Sequence, residues 1–70
     1  MDIAMKPTAT LTIIRTASGA TSYRLSHGRT LVWSTRAYST DAGRNGARER
    51  LRQWLRAHPY KVVLVRKEAA

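Results

Sequence analysis

Four arginines, Arg44, Arg48, Arg52 and Arg56, recur at every fourth position between Asp41 and His58. A guanidinium is a planar fork of donors that keeps its charge and engages phosphate or carboxylate oxygens two at a time. At this spacing the four fall along one side of a helix, which turns once in about 3.6 residues. Like charges one turn apart repel by roughly 0.2–0.5 kcal/mol per pair, and only Glu49 stands among them as an offset. Selection for stability alone favours mixed signs. Arg48, Arg52 and Arg56 are therefore candidates for contact with an acidic partner, against the plainer explanation of a solvated helix face.

A second set comes from the first half of the chain. Arg24, Arg36 and Tyr38 lie among serines and threonines, and guanidinium forks and hydroxyls both serve phosphate oxygens. One exposed ring is not a stacking platform for single strands, which needs several. Trp33 and Trp54 share parity with Leu31 and Leu51 and are assigned to the core.

The residue types that catalysis needs are sparse. The histidines are His27, in an expected turn, and His58, at an expected helix end; the acids are Asp2, Asp41, Glu49 and Glu68. Asp41 suits a helix cap, and Glu49 suits an ion pair with Arg52 on the next turn. These residues form no paired carboxylates, metal-spaced cluster or nucleophile-base pair, and Gly43 to Gly46 lacks the lysine and spacing of a phosphate loop. The expectation is a protein that is not an enzyme and takes no cofactor, metal or small-molecule substrate.

The elements that must hold these side chains follow from periodicity. Ala47, Leu51, Trp54, Leu55 and His58 form the apolar stripe of an amphipathic helix over Asp41 to His58. Thr40 or Asp41 caps it, or Asn45 caps a shorter one, and Pro59 ends it. Thr8 to Thr16 alternates as a strand with Leu11 and Ile13 on one side, and Ser22 to Ser26 follows with Tyr23 and Leu25 inward. His27-Gly28 is a tight turn, and Thr30 to Tyr38 is a third strand with Leu31 and Trp33 inward. Tyr60 to Arg66 is a last strand with apolar residues on both parities, which predicts burial on both faces or a central position.

The expected class is α+β, in the order β-β-β-α-β: an antiparallel meander with one helix packed on one face, joined by the last strand. The opposite face then carries Thr10, Thr12, Ser22, Arg24, Ser26, Ser34, Arg36 and Tyr38. Residues 1–7 read as a flexible leader, 8–66 as one basic domain and 67–70 as a flexible tail.

From Gly28 to Ala47, GRTLVWSTRAYSTDAGRNGA resembles the YegP-like small bacterial domains of unknown function. There a hairpin glycine is followed by an aliphatic strand, a serine, a tyrosine and a helix opening with alanine. Gly28, Leu31, Ser34, Tyr38 and Ala42 match that pattern. His27 replaces the asparagine favoured before the glycine, and the strand after the helix is an addition. The resemblance implies a compact sheet-plus-helix module and no activity.

Composition bounds the partner class. Thirteen Lys and Arg against four Asp and Glu give +9 on 70 residues, and Arg15, Arg24, Arg29 and Arg36 occupy residues 8–40 with no acid between them. There is no cysteine, so thiol chemistry and disulfides are excluded, in keeping with a cytoplasmic protein. The longest aliphatic run, Val62 to Val65, is far too short to span a bilayer, and no membrane partner is expected. The expected function is a small basic module binding the backbone of DNA or RNA through arginines. The alternative is a protein-interaction module, like the small inhibitors of phages and mobile elements, docking on an acidic surface of a larger host enzyme. The sequence leaves the oligomeric state open.

Overall fold

A computed structural model describes residues 6–70. The elements are β1 (Thr8–Arg15), β2 (Thr21–His27), β3 (Thr30–Ser34), α1 (Asp41–Ala57) and β4 (Lys61–Ala69), in the α+β order the periodicity predicts. Residues 1–5 of the expected leader lie outside the described residues. The last part of that leader is already tied down, since Lys61 N donates to Pro7 O at 2.8 Å.

β1, β2 and β3 form the antiparallel meander. Leu11 sits opposite Leu25 and Ile13 opposite Tyr23, so one face collects the alternating apolar residues of both strands. Gly28 has φ +61° at the first of the two positions joining β2 to β3, the arrangement of a type II′ hairpin turn. Leu25 pairs with Trp33, but Ser26 pairs with Leu31, so one extra residue, Val32, bulges between them. The bulge reverses parity. Leu31, expected inward, is turned to the face opposite the helix and is 53% exposed, while Val32 packs against the core instead.

The sheet order is β3-β2-β1-β4, with β4 parallel to β1 at the edge. The sheet is therefore mixed, and β4 is neither central nor buried on both faces as its composition suggested. A second bulge explains that composition: Val62 pairs with Ala9 and Val65 with Leu11, so two residues three apart share the helix-side face. β4 also runs further than expected. It pairs with β1 as far as Ala69, and Ala70 N donates to Arg15 O at 2.9 Å, so the predicted tail is part of the sheet.

α1 crosses the sheet nearest β2. Thr40 is its N-cap, its Oγ1 accepting from Gly43 N at 3.0 Å, which selects the longer of the two predicted helices. Ala47 and Leu51 are buried, and Leu51 clusters with Ala9 and Leu25. Trp54, Leu55, Tyr60 and Val62 extend that core while staying partly exposed. Among the described residues no helix is long and apolar enough to cross a membrane.

Candidate nucleic-acid interface

The helix arginines do not act as one ladder. Arg44 turns inward: its Nη1 donates to Gly19 O at 3.2 Å and its Nη2 binds the Asp41 carboxylate, so it ties the first turn of α1 to the loop after β1. That loop is held by Gly19 at φ +91° and by Thr16 N donating to Ala20 O. Arg52 pairs with Glu49 at 3.2 Å but remains mostly exposed, as expected of an i, i+3 surface pair. Arg48 and Arg56 are exposed and have no carboxylate partner among the described residues.

Tyr38 is placed differently from its expected position on the outer sheet face. β3 ends at Ser34, and the chain then continues irregularly: Thr35 N donates to Tyr23 O at 2.9 Å, and Tyr38 forms a two-way bridge with Thr21 at 2.8 Å. Thr21 shares its face with Tyr23 and Leu25, so its partner Tyr38 falls on the helix side. There Arg50 Nη2 donates to the Tyr38 hydroxyl at 2.7 Å, and the guanidinium carbons of Arg36 and Arg50 lie 5.3 and 5.4 Å from the ring centroid. Two cations are thus gathered on one aromatic ring, which lowers the cost of holding them close.

Arg48 and Arg50 leave opposite sides of the helix, about 160° apart around its axis at about 100° per residue. α1 consequently has two basic flanks. One carries Arg48, Arg52 and Arg56, and the other carries Arg50 with Arg36 and Tyr38.

Arg24 belongs to neither flank. It is exposed on the outer face, in a row formed by Ser34, Arg24, Thr12 and Arg66 across all four strands. Arg66 is paired there with Glu68 at 3.3 Å. The six predicted site residues therefore divide into three places, and the structure unites Arg36 with Tyr38 directly, with Arg50 added to the same ring. The helical spacing gave no signal for Arg50, which lies off the every-fourth-residue ladder.

Both histidines have structural partners. His27 Nδ1 donates to Thr8 O at 2.7 Å and His58 Nδ1 to Trp54 O at 3.1 Å, since a carbonyl can only accept. His58 stacks on Trp54 with ring centroids 4.1 Å apart, and Tyr60 bridges Trp54 and His27. Among the described residues no group of three or more His, Asp or Glu is placed to hold a metal ion. No protein-family model, curated protein or solved structure matches the chain.

Proposed function

We propose that the protein is a non-enzymatic module that binds the nucleic-acid backbone, with the outward half of α1 and its two basic flanks as the contact surface. The supporting observation is how few cations are neutralised. Of thirteen basic side chains, three have a carboxylate partner among the described residues, and each of those partners is local: Asp41 to Arg44, Glu49 to Arg52 and Glu68 to Arg66. Arg36, Arg48 and Arg56 have no carboxylate partner among the described residues, and Arg50 commits one donor to the Tyr38 hydroxyl, so most of their donors remain for oxygens outside the chain. Such contacts fix a duplex or strand by its phosphates and carry little sequence information. On this reading the protein acts in the cytoplasm, which a cysteine-free chain suits.

Fluorescence anisotropy with duplex and single-stranded oligonucleotides over a salt series tests the reading. Log affinity should fall linearly with log salt, by roughly 0.7 to 0.9 per phosphate contacted. Micromolar protein that leaves both probes unbound at about 50 mM salt overturns it.

The edge of the sheet supports a second reading, docking on an acidic protein. β4 pairs on one side only, and Val63, Leu64 and Val65 are each more than half exposed along it. A long open edge with apolar side chains is a template for strand addition. Retention of one acidic protein from nuclease-treated lysate favours this reading, and loss of all partners after nuclease favours the first.

A further inference from the structure

We propose that Arg15, Arg48 and Lys67 form a recessed cleft for a terminal phosphate, such as that ending a nucleic-acid strand. The strand as the source of that phosphate rests on the function proposed above. The cleft has a volume of about 230 Å³, and Thr21 and Tyr23, both almost fully buried, also line it. It is smaller than the ~300–1,000 Å³ pockets that enclose whole small molecules, and so suits a phosphate head.

Three elements supply the cations. Arg15 ends β1 opposite Thr21 and Ala69, and Lys67 lies on β4 opposite Ile13, so both side chains belong to the helix-side face of neighbouring strands. Arg48 reaches the cleft from the flank of α1. None of the three has a carboxylate partner among the described residues. Glu68 is the one acid at the rim, and its register opposite Ile14 and its 3.3 Å pair with Arg66 engage it toward the outer face. Three like charges converging without a counter-ion are mutually repulsive, and an anion between them removes that cost.

The surrounding backbone favours the same ligand. β1 and β4 run parallel and both deliver their C-terminal residues to this end of the sheet, where α1 also begins, fixed by Arg44 to Gly19 O. In open α/β sheets ligands bind beyond the carboxyl ends of the parallel strands, and the β1–β4 pair reproduces that arrangement locally. A monoester fits better than a backbone diester. It presents three free oxygens and nearly two charges to three donors, and it needs only one chain exit from a recess.

The test compares one short single-stranded oligonucleotide carrying a 5′-phosphate or a 5′-hydroxyl, with the full chain. The phosphorylated form should bind roughly tenfold more tightly. Lys67→Gln and Arg15→Gln should each bring that ratio toward one, with circular dichroism confirming that the variants fold. A free nucleoside 5′-monophosphate, titrated by NMR, provides the second arm and should shift resonances at Arg15, Arg48 and Lys67. Equal oligonucleotide affinities together with no shifts at those residues overturn the cleft and leave backbone binding standing. Shifts there without binding of either oligonucleotide support the cleft with a free phosphate as its source, and overturn the nucleic-acid reading instead.

Discussion

The Arg50 guanidinium donates to the Tyr38 hydroxyl at 2.7 Å, joining the second half of α1 to the segment that follows β3. The contact orients a cation that the helix alone leaves free. Arg36 lies over the same ring. Tyr38→Ala should therefore weaken oligonucleotide binding several-fold by releasing both arginines, at about 0.5–1 kcal/mol per cation–π contact. Tyr38→Phe keeps the ring and should lose less. Anisotropy at constant salt ranks the three proteins, and equal affinities would remove Tyr38 from the interface.

The ladder should separate into structural and binding members. Arg44→Gln loses the bond to Gly19 O and the Asp41 pair, and is expected to cost about 1 kcal/mol in chemical denaturation. Arg56→Gln lies at an exposed position and should stay within about 0.5 kcal/mol of the parent. The binding salt slope should show the reverse. Arg56→Gln lowers it by up to about 0.9, whereas Arg44→Gln leaves it nearly unchanged if the fold persists.

Two helix glycines should respond to alanine with opposite signs. A Cβ at Gly46 meets only Arg50 Nη1 at 3.4 Å, the end of a flexible side chain, so Gly46→Ala should gain about 0.5–1 kcal/mol from helix propensity. A Cβ at Gly43 meets Tyr38 Cδ1 at 2.9 Å and the capping Thr40 Oγ1 at 3.1 Å. The close approach of Tyr38 should outweigh propensity, making Gly43→Ala destabilising by about 1–3 kcal/mol. Thermal unfolding of both variants reads the two signs directly.

Leu25 is fully buried at the centre of the core, where β2 lies under Leu51. Leu25→Ala should cost about 2–5 kcal/mol. In so small a domain that is a large share of the total stability, so loss of the cooperative unfolding transition at room temperature is the expected result. A well-folded variant with a melting temperature near the parent's would mean that the core lies elsewhere.

The meander, the Gly28 turn and the pairing of Ala47 and Leu51 with the sheet were legible because each depends on local chemistry or a short period, whereas Thr40, Asp41 and Asn45 all suit a cap and the structure chose Thr40. Leu31 and Tyr38 were misplaced for one reason. A single extra residue, Val32 in one case and a residue between Thr35 and Tyr38 in the other, inverts the side chains on one side of it relative to those on the other, and no composition marks where it falls. The Val62 to Val65 run was misread through the same effect in β4. The charged cleft was illegible on different grounds. Arg15, Arg48 and Lys67 are distant in the chain and meet only because β4 adds beside β1.

That parallel pairing also bears on how quickly the chain folds. The two hairpin pairs of the meander close over short loops, whereas matching Thr8 to Lys61 and Arg15 to Ala69 brings together residues from opposite ends of the described chain. The entropy of closing so long a loop must be lost before any β1–β4 bond forms, which slows folding relative to a helical protein of this size. Until it forms, the β1 edge stays open, and the apolar run of β4 is free to pair with another chain. Refolding yield should therefore fall as protein concentration rises, with the final strand as the vulnerable step.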